Sequence, residues 1–298
     1  MYPLMNMNIS KSYEVLLIVG YGHSGTTILD IILGSSQNAQ SCGEMTHITR
    51  EFFFSEYCSC GNIIDSCDFW GDIIEAWKSN MDCSFENYVK YRSKFEGNKN
   101  YFRSFKNFYK PSSEFLEYIK ATELLYDQIF RKSKKKIIID SSKSASRVFL
   151  LKRFSKVRLI HVCRNFRGVL NSEKKNIIQD LEQGIEMNSM PKKSSKVLMD
   201  WFISNMFCSI SRIFAFGKKL HFNTWLKTPM LLNNYLSLND VDFVEDYFKA
   251  EHMIAGNSIR MKPPQKLRRN TPPNYERLSR KQLLFGFLVE KITPFWSK

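Results

Sequence analysis

The chain has 298 residues, of which 43% are hydrophobic and 24% are charged, a composition typical of ordinary soluble globular proteins. It contains no apolar run of about 18 residues, which excludes a transmembrane helix of the usual length. Its first residues lack the basic-then-apolar pattern of a secretory signal, so we expect a cytoplasmic protein. The net charge of +15 favours an anionic ligand: nucleic acid, acidic lipid or a polyanionic small molecule.

The N-terminal part predicts a strand, a glycine-rich turn and a helix. Val15–Val19 is a continuous apolar run, as expected of a central parallel strand. The apolar stretch Thr26–Leu33 predicts a helix, with Gly34 as the C′ glycine that ends it. Residues 51–130 are rich in aromatic side chains and predict mainly helix, with a loop at the sequence GNKN.

Two more strands follow, each with a turn and a helix after it. They are predicted at Lys135–Asp140 and Lys156–Val162. The polar stretch Asp180–Ser195 predicts a loop, and Lys196–Phe216 predicts a long, largely buried helix. Residues 260–298 form a basic segment with several prolines near its start.

Strands that alternate with helices indicate an α/β fold. We predict a P-loop-like open, mostly parallel sheet that is flanked by helices on both faces. We further predict a single domain over residues 1–298.

The turn after the first strand has the spacing of a phosphate-binding loop. Gly20 and Gly25 match the pattern G-x-x-x-x-G, and Thr27 stands where such loops hold Mg²⁺ through a hydroxyl. Thr26, however, replaces the lysine that contacts the β- and γ-phosphates. This replacement argues against a triphosphate with a transferable γ-phosphate.

The remainder of the loop still suits an anion. The backbone N–H groups of Ser24–Thr27 are expected at the positive end of the helix. The hydroxyls of Ser24, Thr26 and Thr27 add neutral donors, and His23 adds a cationic one. We therefore prefer phosphate binding over a plain strand-to-helix turn.

Two motifs together resemble a known family. The loop reads HSGTT from His23 to Thr27, and Arg164 at a predicted strand end is followed by Ser172 on the next helix. An arginine fork can grip a phosphate bidentately, and a nearby hydroxyl can add a further bond. This combination resembles the sulfotransferases that use 3′-phosphoadenosine 5′-phosphosulfate (PAPS). In that family the loop binds the 5′-phosphosulfate and usually begins with lysine or arginine, and the arginine and serine bind the 3′-phosphate.

Two other segments resemble the branch that contains bacterial, carbohydrate and tyrosylprotein sulfotransferases. The sequence SCGEMTHI resembles a segment that carries the acceptor-activating glutamate, here Glu44. The sequence EHMIAGNSIRMK resembles a C-terminal segment that closes over the cofactor. The residues that the resemblance implies as cofactor-binding are Gly22, His23, Ser24, Gly25, Thr26, Thr27, Arg164, Ser172, Gly256, Asn257 and Arg260.

The implied reaction transfers a sulfuryl group from PAPS to a hydroxyl acceptor. The products are 3′-phosphoadenosine 5′-phosphate (PAP) and a sulfate ester, and we expect a carbohydrate or other glycan-like acceptor rather than nucleic acid. The helices of 51–130 are then an acceptor-side insertion. A sulfuryl group carries less charge than a phosphoryl group, so side-chain cations can suffice and we predict no catalytic metal.

Three side chains are the candidates for catalysis. Glu44 is assigned as the general base. His23 competes for that role, or donates to the bridging oxygen of the leaving phosphate. Lys143 follows a predicted strand and can reach the sulfuryl oxygens from the carboxyl edge of the sheet, although a surface lysine explains it equally well.

Two alternatives remain open. A nucleotide or small-molecule kinase shares the sheet and the loop, but the missing lysine and the arginine–serine pair argue against it. A nucleic-acid-binding protein fits the basic charge, but no recognised nucleic-acid-binding motif occurs.

Three of the seven cysteines cluster as Cys58, Cys60 and Cys67. Close thiols suggest a metal knuckle or a local disulfide. No fourth ligand with zinc-site spacing is evident in the sequence, so we rank packing or a redox role above zinc.

Overall fold

The structure is a computed structural model, which describes residues 11–50, 58–175, 190–221 and 278–292. Its centre is a five-stranded sheet in the order β2-β3-β1-β4-β5, and every pair of neighbouring strands is parallel. The strands are β1 Glu14–Val19, β2 Ala39–Ser41, β3 Ile137–Lys143, β4 Lys156–Cys163 and β5 Lys218–His221. The predicted α/β class with a parallel sheet is confirmed.

The central strand β1 explains how the two faces of the sheet are covered. Val15, Leu17 and Val19 join a large core with the helices of one face. Leu16 and Ile18 join a second core on the other face, together with the helix that follows β1. Side chains alternate between the faces of a strand, so a strand that is covered on both sides reads as a continuous apolar run.

Nine α-helices are described. They are α1 Thr26–Gly34, α2 Trp70–Asn80, α3 Phe85–Phe95, α4 Tyr101–Tyr109, α5 Ser113–Ser133, α6 Arg147–Leu151, α7 Phe166–Glu173, α8 Ser194–Phe214 and α9 Arg280–Ile292. Within the described ranges, no helix combines the length and the apolar character that a bilayer crossing requires.

The role predicted for Gly34 is wrong. Gly34 is the last residue of α1, and Ser35 follows it in right-handed conformation with φ −72°. A side chain at position 34 would overlap the Cβ of Ser41 on β2. This glycine therefore permits close packing of helix on strand rather than a left-handed turn.

Strand β3 extends three residues beyond the predicted end at Asp140. The added residues, Ser141 to Lys143, are polar and do not read as a strand, yet their positions alongside β1 place them in the sheet. Strands β2 and β5 were not predicted, because the sequences AQS and KKLH are too short and too polar to stand out.

The description of α8 as largely buried needs correction. Trp201 and Asn205 are buried, whereas Met199 and Ile213 are exposed, so only one face of α8 packs inward. The apolar C-terminal helix α9 docks on α7, where Arg167 pairs with Glu290 at 2.9 Å. Of the predicted loop Asp180–Ser195, residues 180–189 lie outside the described ranges.

Candidate functional site

Four predicted functional groups follow four neighbouring strands at the carboxyl edge of the sheet. Glu44 follows β2, Lys143 ends β3, residues 20–25 follow β1, and Arg164 follows β4. The strand order places β1 between β3 and β4. The chain therefore continues from β1 towards β2 on one side of the sheet and from β4 towards β5 on the other. Open α/β sheets bind ligands in the crevice at such a switch point.

The loop after β1 has an unusual backbone. Gly25 is the N-cap of α1 with φ 86°, and His23 adopts φ 62° although it is not glycine. A side chain at Gly20 would come within 2.5 Å of the carbonyl oxygen of Val162 on β4. Left-handed conformation at a non-glycine residue costs free energy and is enriched at functional sites.

Ser24 provides a sharper indication of an anion site. Its side chain is fully buried, and its Oγ has no hydrogen-bond partner among the described residues. It lies beside the N-terminus of α1, which has no acidic residue in its first turn and no side-chain cap. Buried hydroxyls normally have a partner, so a bound anion that accepts from Ser24 Oγ and the helix N–H groups fits this site.

His23 lies in a cluster of charges. Its ring is 40% exposed, and its Nε2 lies 3.8 Å from Glu173 Oε1. Partial burial lowers the pKa of His23, and Glu173 opposes this effect. The positive charges of Lys143, Lys192 and Arg164 lower it further, so His23 favours its neutral form until an anion offsets these cations.

Lys192 and Glu173 are neighbours of His23 that the sequence reasoning missed. Lys192 Nζ lies 2.9 Å from Glu173 Oε2, and the hydroxyl of Tyr21 donates to Glu173 Oε1 at 3.0 Å. Lys192 occurs in the polar stretch PKKSS, which gives no signal of a binding role. Only the fold brings this cation near the loop.

Arg164 connects the loop with α7. Its Nη1 donates to the carbonyl oxygen of His23 at 2.8 Å and lies 3.4 Å from Ser172 Oγ. A side chain at Gly168 would come within 2.7 Å of Arg164 Nε. The small residue on the first turn of α7 therefore makes room for the guanidinium between helix and loop.

Glu44 is held between two basic side chains. Lys143 Nζ donates to its Oε1, and His47 Nε2 lies 3.2 Å from its Oε2. Burial raises the pKa of Glu44, but the Lys143 charge and the His47 hydrogen bond outweigh this and lower it to about 2. In the free protein Glu44 is therefore ionised but weakly basic.

Strand β3 fixes the position of Glu44. The N–H of Ser141 donates to the carbonyl oxygen of Gly43 at 2.8 Å, and the N–H of Thr46 donates to Ser142 Oγ at 3.1 Å. Bonds on both sides of Glu44 thus attach its segment to the strand that carries Lys143. Lys143 itself adopts φ 62°, a second non-glycine residue with left-handed backbone at this edge.

Asp30 lies on α1, one turn beyond Thr26, and is completely buried. Its carboxylate accepts from Ser41 Oγ at 2.7 Å and from Ser141 Oγ at 2.5 Å. Burial raises the pKa of Asp30 to about 7, although the two hydroxyls oppose the shift. This acid beneath the loop was not predicted, because a single polar residue inside an apolar helix has no distinctive spacing.

The raised pKa of Asp30 makes stability depend on pH. The folded-state pKa lies above the ordinary 3.8, so the stabilisation by protonated Asp30 is complete below about pH 4 and is lost as the pH rises through about 7. Wild type should lose stability between pH 5 and pH 8 as Asp30 ionises, whereas Asp30→Asn should not. The free energy of unfolding of the variant, relative to wild type, should therefore be higher at pH 8 than at pH 5. The difference should reach a few kcal/mol, since one pKa unit corresponds to about 1.4 kcal/mol.

Urea unfolding at both pH values measures this effect. Asp82→Asn is the matched control, because its side chain is 75% exposed and the charge change is identical. An Asp30→Asn variant that is equally destabilised at both pH values would contradict the assignment.

The remaining predicted residues fall into two groups. Gly256, Asn257 and Arg260 lie outside the described residues, so the structure places none of them. Gly22, Thr26 and Thr27 lie in the loop and at the start of α1, with Thr26 buried and Thr27 half-buried.

Comparison with known proteins gives distant structural matches. No protein-family model matches the chain, and no curated protein matches its sequence. One solved structure, the sulfotransferase domain of the Synechococcus PCC 7002 olefin synthase, is 14% identical with TM-score 0.45 and covers 94% of each chain. The sulfotransferase domain from the curacin biosynthetic pathway is 12% identical with TM-score 0.45 and covers 82% of this chain and 80% of its own.

A third solved structure, the sulfotransferase STF9 from Mycobacterium avium, is 9% identical with TM-score 0.47. It covers 97% of this chain and 78% of its own.

Proposed function

We propose that the protein is a sulfotransferase that transfers a sulfuryl group from PAPS to a hydroxyl of an acceptor, with a carbohydrate or other glycan-like compound as the expected acceptor class. The observation that supports the proposal is that two candidate anion sites lie at one edge of the sheet. One is the loop with buried Ser24, and the other is Arg164 beside Ser172. PAPS carries phosphate groups at the 5′ and 3′ positions of one nucleoside, so a single donor molecule could occupy both sites.

Each phosphate of the donor would be held by a different set of side chains. Ser24, Thr26 and the N–H groups at the start of α1 would hold the 5′-phosphosulfate. Arg164 and Ser172 would hold the 3′-phosphate, since an arginine fork suits phosphate oxygens. PAPS supplies an activated sulfuryl group, and the cations around the loop offset the charge that develops on the leaving phosphate.

Lys143 has two roles in this proposal. In the free protein it neutralises Glu44. When donor oxygens compete for Lys143, Glu44 loses this partner while its burial continues to favour the protonated form, so its pKa rises. Glu44 thereby becomes a stronger base when the donor is in place, and His23 remains the competing base.

We propose that the chain forms a single domain and that the acceptor binds against the helical insertion around residues 51–130. The turn after α3 approaches the edge of the candidate site, where the N–H of Gly97 donates to Ser146 Oγ at 3.0 Å. These helices therefore adjoin the strand end that carries Lys143.

Ligand selectivity tests the proposed function. PAP at ~100 times its dissociation constant should stabilise the protein by about 2.7 kcal/mol, and adenosine 5′-phosphate at the same concentration should do much less, because it lacks the 3′-phosphate. Arg164→Ala should weaken PAP binding by about 1.5–3 kcal/mol, the range for hydrogen bonds to charged groups. Thermal unfolding and calorimetric titration measure both effects.

Arg153→Ala is the matched control for Arg164→Ala. It removes the same side chain before β4, at the opposite edge of the sheet, where Arg153 Nη1 donates to the carbonyl oxygen of Phe108. Equal stabilisation by the two nucleotides would refute the 3′-phosphate site. Preferential binding of ATP with Mg²⁺ would favour a kinase instead.

Transfer activity is expected to survive removal of divalent metal. With PAPS and a true acceptor, EDTA should leave the rate within about twofold, because side-chain cations stabilise the transferring group. The rate and the melting temperature must be followed together, because chelation of a metal held by Cys58, Cys60 and Cys67 would lower stability without acting on the transfer step. A rapid loss of rate at unchanged melting temperature that Mg²⁺ restores would contradict the mechanism.

A further inference from the structure

Three thiols converge away from the proposed active site. The Sγ atoms of Cys58, Cys60 and Cys67 all lie within 4.8 Å of one another. Cys58 and Cys67 are buried and Cys60 is exposed, so the cluster lies just below the surface with one open side. No acidic or histidine side chain of the described residues joins this cluster.

The sulfur spacing separates the alternatives that the sequence left open. Cys60 Sγ lies 3.6 Å from Cys67 Sγ, whereas a disulfide bond requires about 2.05 Å. Two thiolates on one tetrahedral zinc ion, each about 2.3 Å from the metal, lie about 3.8 Å apart. The observed spacing is therefore too long for a disulfide bond and fits sulfur atoms that share one metal ion.

Burial raises the pKa of the Cys58 and Cys67 thiols, and backbone N–H groups around the cluster oppose that effect. Cys58 to Asn62 form a tight turn in which the N–H of Cys58 donates to the carbonyl oxygen of Asn62 at 2.8 Å. The N–H of Cys60 points to the sulfur of Cys58. The N–H groups of Phe69 and Trp70 point to the sulfur of Cys67. Such outer hydrogen bonds orient and stabilise metal-bound thiolates.

We propose that Cys58, Cys60 and Cys67 bind one zinc ion through three thiolates, with water in the fourth position on the exposed side. Binding would release the three thiol protons. The ion would fix the 58–67 segment to the start of α2, whose Trp77 is buried and donates through Nε1 to the carbonyl oxygen of Ala121 on α5 at 2.7 Å. Its role would be to stabilise the helical insertion rather than to act on the transferring group.

Metal analysis of the purified protein tests this proposal. Protein made without a histidine tag should contain about one zinc per chain, and Cys60→Ser should lose most of it. Cys60 is the variant of choice because its side chain is exposed and its replacement leaves no buried gap. Cys83→Ser is the matched control, since Cys83 is outside the cluster and should keep the full metal content.

Cobalt substitution gives a second measurement. Co²⁺ should replace zinc and produce thiolate-to-metal charge-transfer absorption with tetrahedral visible bands in wild type and Cys83→Ser, and much less in Cys60→Ser. A full-length mass two hydrogens below the reduced value, with a peptide that joins Cys60 to Cys67, would identify a disulfide and overturn the proposal. Protein that holds no zinc after reduction and Zn²⁺ titration would overturn it as well.

Discussion

Glu44→Gln is expected to lower the turnover rate about 10²–10⁴-fold, the range for loss of acid–base catalysis, while PAP affinity stays close to wild type. Glutamine keeps the size of the side chain but cannot accept the acceptor's proton. The measurement is the steady-state rate with PAPS and a true acceptor, with PAP affinity and melting temperature determined in parallel.

The pH dependence of the same reaction tests the role of Lys143. In the free protein the pKa of Glu44 is lowered to about 2, so kcat/KM for the donor should show no acid limb from Glu44 while the protein is folded. The kcat profile reports the enzyme–substrate complex, in which the proposed mechanism has the donor engage Lys143. Its acid limb should therefore lie at higher pH and should disappear in Glu44→Gln.

The ion pair between Glu44 and Lys143 also makes the free energy of unfolding depend on pH. Because the folded-state pKa of Glu44 lies below the ordinary 4.5, the stability it contributes is present above about pH 4.5 and is lost as the pH falls through about 2. A Glu44→Gln variant should lack this decline.

The turnover experiment has a clear contrary outcome. If Glu44→Gln turned over at the wild-type rate, Glu44 would lose the role of base and His23 would take its place.

Elements with strong apolar periodicity could be predicted from the sequence. The strand before the loop and the helix after it were placed within one residue of their ends, because β1 and α1 are buried and apolar. Parallel strands then fix which edge carries the ligand. Fold class and the edge of the candidate site therefore follow from local sequence alone.

Contacts between distant segments could not be predicted in this way. Glu44 and Lys143 meet because β2 pairs with β3, and the short polar sequence of β2 gives no signal of that pairing. Lys192 reaches the neighbourhood of His23 because it pairs with Glu173, the last residue of α7, just before α8 begins. Both cases depend on tertiary packing, which overrides weak local preferences.

Replacement of Arg147 by methionine is expected to lower the free energy of unfolding by about 3–5 kcal/mol, the cost of breaking a buried ion pair. Arg147 is 1% exposed. Its Nε donates to Asp140 Oδ2 at 2.5 Å, and its Nη1 donates to Glu96 Oε1 at 2.5 Å. Without the guanidinium, two carboxylates would remain buried with no cation between them.

The hydroxyl of Tyr126 also contacts this buried ion pair, but it cannot take over the positive charge of Arg147. It donates to Asp140 Oδ2 at 2.5 Å and accepts from Arg147 Nη2 at 3.2 Å. A phenol can share a carboxylate's charge but cannot neutralise it. Tyr126 should therefore offset only part of the loss in Arg147→Met.

Urea unfolding of Arg147→Met and wild type measures this loss. The sharper comparison is the triple variant Arg147→Met, Asp140→Asn and Glu96→Gln, which removes the buried charges together. It should be more stable than Arg147→Met alone, because the single variant suffers mainly from uncompensated charge and not from lost packing. A triple variant that is less stable than the single one would show that packing and hydrogen bonding of Arg147 dominate. Because Asp140 also accepts from the N–H of Ser142 at 2.9 Å, damage to this network should displace the strand end that carries Lys143, so the single variant should lose activity along with stability.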